Sequence, residues 1–131
     1  MRLALAVAGG LLSLQALACG YCVEDKIAAT YDHSVVSRAL AQGHHVVFFH
    51  VEGAPVTRRA LEDAASALPG IDKGSMRISP DLLTVSVAFD PGRVSLVQLN
   101  ARLDRSLAAR KAALLPLRVM ERPADLKAVM R

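Results

Sequence analysis

Two cysteines separated by two residues are the side chains of this sequence best suited to do chemistry. They are Cys19 and Cys22 in the segment Cys-Gly-Tyr-Cys, and the chain contains no other cysteine. This spacing allows both sulfurs to approach one another, so that they can form a dithiol–disulfide couple or bind a soft metal ion such as copper(I). An inert local disulfide formed on export is a third possibility. The spacing alone leaves all three open.

The residues before the cysteines predict an export signal. Residues 1–18 have a basic start and an uncharged apolar middle, and they end with small residues at Ala16 and Ala18. These features are typical of a secretory signal peptide, so we expect cleavage after Ala18 and a periplasmic or secreted protein. The apolar run is short for a membrane span, which needs about 20 residues. The alternative is a lipid anchor on Cys19, which would leave Cys22 alone.

An amphipathic helix is predicted directly after the cysteines, over residues 23–42, with Gly43 after its end. Its apolar positions recur every four residues, at Val23, Ile27, Tyr31 and Val35. A helix amino terminus lowers the pKa of a nearby thiol. Glu24 and Asp25 in the first turn oppose that effect by adding negative charge. Residues 19–43 are therefore predicted to form a dithiol followed by a helix.

Residues 44–121 predict a compact α+β domain, followed by a tail at residues 122–131. The expected elements are a strand over 44–51, a helix over 55–69, strands over 71–79 and 83–89, a helix reaching about 111, and an edge strand over 113–120. This order is the βαββαβ pattern of a ferredoxin-like fold, in which two helices cover one face of a four-stranded antiparallel sheet. Adjacent Phe48 and Phe49 must point to opposite faces, so the extra N-terminal helix is expected to cover the second face.

Several segments of this domain resemble the heavy-metal-associated domain of copper chaperones and metal-transporting ATPases. They are Val51-Glu52-Gly53, Leu61-Glu62-Asp63-Ala64, Leu68-Pro69-Gly70-Ile71 and Val85-Ser86-Val87-Ala88-Phe89-Asp90-Pro91. The resemblance covers residues 44–120 and implies the ferredoxin-like fold, metal handling and a metal-handling partner protein. In that family two cysteines lie in the loop after the first strand. Here this loop, residues 53–59, contains no sulfur.

Element lengths suggest that the dithiol could replace the missing loop ligands. A helix over residues 23–42 would be about 30 Å long, and a strand over residues 44–51 about 26 Å. A sharp reversal at Gly43 would bring the cysteines back over residues 52–56. We therefore predict a relocated soft-metal site with Cys19 and Cys22 as ligands and His50 as a possible third ligand.

The remaining features limit the functions that compete with metal binding. The net charge of +4 comes without tryptophan or interleaved aromatic residues, which argues against nucleic acid. A membrane partner is expected only if Cys19 is lipidated. Cys-Gly-Tyr-Cys also resembles active-site motifs of the thioredoxin superfamily, so thiol–disulfide exchange is the enzymatic alternative, although no strand precedes the motif. A non-catalytic interaction domain with a structural disulfide is the third reading. His33, His44 and His45 are expected to be surface or half-buried side chains.

Overall fold

The computed structural model describes residues 23–123, which form an α+β domain. Along the chain lie helix α1, which includes residues 23–30, helix α2 (His33–Ala41), strand β1 (His45–Gly53), helix α3 (Arg58–Ser66), strand β2 (Arg77–Ile78), strand β3 (Thr84–Phe89), helix α4 (Leu96–Leu107) with a 3₁₀ turn at Ala108–Arg110, and strand β4 (Ala112–Met120). The four strands form one antiparallel sheet in the order β2-β3-β1-β4.

The sheet has a buried core on each of its two faces. In β1, Val47, Phe49 and Val51 belong to the cluster packed with α3 and α4, whereas Val46 and Phe48 belong to the cluster packed with α1 and α2. This split follows from strand geometry, because successive side chains point to opposite faces. Phe48 and Phe49 are both fully buried, which confirms that both faces are covered. The cover on both faces also buries every residue of β3.

The single helix predicted over residues 23–42 is wrong, because the chain leaves the helix at Asp32 and starts a second one. Asp32 has an extended backbone (φ −129°, ψ 112°), and its side chain accepts hydrogen bonds from the amides of Ser34 and Val35. An aspartate in this position caps a new helix and competes with continuation of the old one. Arg77 of β2 reinforces the break with a hydrogen bond from Nε to Asp32 Oδ2 at 3.0 Å.

Helix α1 crosses the strands instead of returning along β1. At one end Ser86 Oγ of β3 donates to the Thr30 carbonyl oxygen at 3.3 Å, and at the other Glu24 forms an ion pair with Arg118 of β4. A helix rises about 9 Å between these two positions, which matches the roughly 10 Å between the strands on either side of β1. Tyr31, predicted on the buried stripe, is 44% exposed. The 30 Å helix parallel to β1 is therefore not formed.

Helix α3 begins three residues later than predicted, at Arg58 and not at Pro55. Thr57 has an extended backbone, and its Oγ1 accepts a hydrogen bond from the amide of Ala60 at 3.1 Å. A threonine that binds the third amide of a helix is a typical amino-terminal cap. The cap defines the start of α3 and leaves Pro55 in the preceding loop.

The strand predicted over residues 71–79 is reduced to the two residues of β2. A side chain replaces part of the expected strand pairing: Ser75 Oγ accepts a hydrogen bond from the amide of Ala88 at 3.0 Å and donates to the Asp72 carbonyl at 2.7 Å. Serine hydroxyls often substitute for backbone groups in this way. Met76 and Ile78 of this segment both pack against the larger core.

Strand β4 forms an edge of the sheet, as predicted, and tolerates Pro116. This proline lies opposite Phe49 of β1. Val51 donates its N–H to the Leu83 carbonyl, away from β4, and Phe49 has the same orientation because it lies two residues earlier. The nitrogen of Pro116 therefore faces the outer edge, and no hydrogen bond between β1 and β4 is lost.

Candidate functional site

Of the three predicted metal ligands, the structure describes His50. Cys19 and Cys22 lie outside the described residues. His50 is in the second half of β1, opposite Thr84 on β3 and Leu115 on β4. It follows Phe48 by two residues and therefore lies on the face that α1 crosses.

His50 carries a buried nitrogen for which the described residues provide no hydrogen bond. Its Nδ1 is shielded from solvent and has no hydrogen-bond partner within residues 23–123. The residue as a whole is half-buried, so another part of it remains accessible to solvent. Leaving a buried polar atom unpaired costs about 1–3 kcal/mol. Such an atom needs an explanation, and a ligand from elsewhere is one.

Helix α1 is linked by its Glu24 side chain to the strand that neighbours β1. Arg118 donates from a guanidinium N–H to Glu24 Oε2 at 3.2 Å, and this hydrogen bond lowers the pKa of Glu24. Arg118 lies opposite Phe48 in the sheet. His50 follows Phe48 by two residues on the same face of β1, so the two residues are about 7 Å apart along the strand. The Glu24 side chain therefore contacts the strand position next to that of His50.

A carboxylate lies within electrostatic range of the imidazole. Asp81 Oδ1 accepts hydrogen bonds from Ser79 Oγ at 2.6 Å and from the amide of Leu83 at 3.0 Å. These bonds, the Ser79 bond first, lower the pKa of Asp81, and His50 adds a smaller electrostatic contribution. The side chain of Leu115, on the other side of His50, is 45% exposed. His50 therefore has an acidic neighbour on one side and an open apolar neighbour on the other.

The loop after β1 lies tightly against the chain at Gly53. Gly53 has φ +91°, and a Cβ there would collide with the Lys111 carbonyl of the chain entering β4. A hollow of about 140 Å³ beside the loop is lined mainly by apolar residues, with Asp81 as its charged member. This lining offers a soft metal ion no thiol, in agreement with the sequence. The described part of the chain therefore gives the loop no role as a self-sufficient metal site.

His44 forms a cluster with Asp72 and Asp90 that was not predicted from the sequence. Its Nδ1 lies 2.9 and 2.8 Å from the two carboxylate oxygens of Asp72, and its Nε2 lies 3.8 Å from Asp90 Oδ2. The isolated bridge between Ile71 and Phe89 brings the two aspartates to the start of β1. Both ring nitrogens of His44 face carboxylates, so this side chain links the start of β1 to the segments that contain Asp72 and Asp90. An aspartate directly follows each member of that bridge, but the bridge itself is visible only in the fold.

The other two histidines also have neighbours. His45 packs edge-on against Phe89, with ring centroids 5.6 Å apart, and its Nε2 lies 3.6 Å from Glu121. His33 lies on the exposed side of α2, where its ring nitrogens are 3.5 Å from the Tyr31 hydroxyl and 3.2 Å from Ser37 Oγ. These contacts distinguish both residues from His50.

The donor set of the described residues is incomplete for a metal ion. Across residues 23–123, no group of three histidine, cysteine, aspartate or glutamate side chains is arranged to hold one. A site that includes His50 therefore needs ligands from outside this range. Among the same residues no helix is long and apolar enough to cross a membrane.

Comparison with protein-family models, with curated proteins and with solved structures gave no match.

Proposed function

We propose that this chain is an exported soft-metal-binding protein, in which Cys19 and Cys22 supply two thiolates and His50 a third ligand to copper(I) or a similar ion. The ion is the cargo of the protein, delivered by or passed to a metal-handling partner. Thiolates and imidazole are both suitable donors for copper(I). Removal of residues 1–18 on export would leave the dithiol directly before α1.

The scaffold supports the proposal at the level of fold. The described elements after α2 follow the order β-α-β-β-α-β, and the strand order is β2-β3-β1-β4. From this combination we infer a ferredoxin-like fold, with α1 and α2 added on its second face. The heavy-metal-associated family, which residues 44–120 resemble, has the same fold. The proposed difference from that family is the origin of the thiols, which precede the domain.

The observation that carries the proposal is the buried Nδ1 of His50, which has no hydrogen-bond partner within residues 23–123. Two residues of chain span at most about 7 Å, so covalent connection alone keeps Cys22 near Glu24. Glu24 is paired to Arg118, in the row next to His50. A thiolate from this segment and the imidazole can therefore reach a common ion. The ion would also give the buried nitrogen a bonding partner.

Competition titration with a coloured copper(I) chelator, in an anaerobic buffer, tests the proposal. The exported chain is used after its amino terminus has been established by intact mass. We expect one copper(I) per chain, loss of that binding in Cys22→Ser, and an affinity at least about tenfold lower in His50→Ala. His33→Ala is the matched control, because this exposed histidine on α2 should leave the affinity unchanged.

Two results would contradict this function. Equal copper(I) affinity of the unaltered chain and Cys22→Ser would show that the thiols are not ligands. Reduction of insulin by the dithiol, with no copper(I) retained against the chelator, would instead support thiol–disulfide exchange. A lipid on Cys19, detected by intact mass, would occupy one of the two thiols. Copper(I) would then bind more weakly, through Cys22 and His50 alone.

A further inference from the structure

A two-part groove lies at the end of the molecule opposite Gly53. Its deeper part is a cleft of about 510 Å³ between the end of α3 and the loop before β2, a size typical of ligand-binding pockets. Its floor includes Leu68, Ile71 and Met76, which are only partly buried against the larger core. A shallower hollow of about 380 Å³ continues on the other side of Leu68 and Pro69, towards α4. We call these two hollows the basic groove.

The rim of the basic groove carries four cations. Lys73 and Arg93 line the deeper cleft, and Arg102 and Arg105 line the shallower hollow. Within the described part of the chain, none of the four has a carboxylate within 4.0 Å, since the ion pairs there involve other basic residues. Four unpaired positive charges around an apolar floor favour an occupant that is both acidic and partly apolar.

The acidic residues at the groove do not cancel this charge. Asp72 lines the deeper cleft, but its carboxylate is engaged by His44 at 2.8 Å. Glu62 is the other acidic residue among those lining the two hollows. An excess of positive charge therefore remains at the rim, where it can attract a negatively charged partner.

We propose that the basic groove binds an extended acidic peptide segment of another protein. One apolar side chain of that segment enters the cleft over Leu68, and its carboxylates contact the cations on both sides of Pro69. The continuation of the groove into a second hollow suits an extended chain better than a small molecule, which would fill the deeper cleft alone. The groove would therefore be an interaction surface separate from the proposed metal site.

The rest of this chain is poorly suited to occupy the groove. Residues 1–22 contain no acidic residue, and residues 124–131 contain Asp125 alone. Neither segment supplies the several carboxylates that the four cations favour. The composition of these two segments therefore favours a separate protein as the source of the acidic segment.

Fluorescence anisotropy with the full exported chain and two labelled ten-residue peptides tests this surface. One peptide alternates glutamate with leucine, and its matched control alternates lysine with leucine. We expect saturable binding of the glutamate peptide, weakened by salt, and at least about tenfold weaker binding in the double variant Lys73→Glu/Arg93→Glu. The variant Arg58→Glu/Arg59→Glu makes the same charge change at the other end of α3 and should reduce binding less than about twofold.

Three outcomes would overturn the proposal. These are equal losses of affinity in the two double variants, equal or tighter binding of the lysine peptide, and binding to phosphatidylglycerol vesicles without binding to the glutamate peptide.

Amide shifts in an NMR titration should change at Ile71 and Met76 when the glutamate peptide binds. Circular dichroism confirms that each variant is folded. Because no cysteine takes part, the outcome is independent of copper(I) binding.

Discussion

The two faces of the sheet are built in different ways. The face covered by α3 and α4 has a continuous apolar core, and its helices contribute large fully buried side chains, namely Leu61, Leu99, Leu103 and Leu107. The face covered by α1 and α2 has a smaller apolar cluster, and buried hydroxyl groups lie among its residues, at Thr30, Thr84 and Ser86. We call these the closed face and the open face.

Polar contacts hold much of the open face together. Asp32 binds Arg77, Glu24 binds Arg118, and Ser86 Oγ donates to the Thr30 carbonyl. Exposed ion pairs of this kind add little stability, and a layer with little apolar burial opens at lower free energy than a core. The closed face stabilises the sheet, and the open face can accommodate an unsatisfied histidine.

The largest expected effect compares one core residue from each face. Leu103→Ala on α4 should lower the free energy of unfolding by about 3–4 kcal/mol, because its fully buried site cannot collapse around the cavity. Ile27→Ala on α1 should cost about 2 kcal/mol, at the low end of the same range, because α1 can shift towards the sheet. Urea unfolding followed by circular dichroism measures both. An equal or larger loss in Ile27→Ala would contradict the distinction between the two faces.

A smaller effect, of opposite sign, is expected at His50. Replacing it with leucine removes an unpaired buried nitrogen, so the free energy of unfolding should rise by about 1 kcal/mol in metal-free protein. The same change should weaken copper(I) binding, which would mark His50 as a residue kept at a cost to stability. His33→Leu is the control, with an expected change within about 0.5 kcal/mol at an exposed position. Destabilisation by His50→Leu would indicate that the imidazole serves packing.

Much of the sheet could be predicted from the sequence because local periodicity determines it. The alternation in β3, the adjacent Phe48 and Phe49 and the proline in the edge strand all depend on neighbouring residues. The break at Asp32 was missed, although aspartate is a common helix cap, because the apolar spacing continues through it. The shortness of β2 was missed because the Ser75 hydroxyl replaces a backbone partner from a distant part of the chain.

The candidate site was predictable only in part. His50 could be placed near the end of β1 by counting along a strand, but its unpaired nitrogen depends on which side chains the whole fold brings near it. The cluster around His44 requires the pairing of Ile71 with Phe89, eighteen residues apart in the chain, and no local pattern specifies that pairing. On both faces, prediction from the sequence has the same limit. Periodicity predicts helices and strands, but it does not predict contacts between polar groups that are distant in the chain.

The smallest effect is a pH dependence at the joint between α1 and α2. Hydrogen bonds from Ser34 and then Arg77 lower the pKa of Asp32 from its usual 3.8 to about 2. A lowered carboxyl pKa stabilises the fold above the unfolded pKa, and this contribution is lost as the pH falls from about 3.8 through about 2. The amide shifts of Ser34 and Val35, which bind the carboxylate, should titrate with a midpoint near 2 by NMR. Arg77→Met should raise the midpoint yet keep it below 3.8, because the Ser34 bond remains. A midpoint of 3.8 in the unaltered protein would mean that the open face does not depend on this cap.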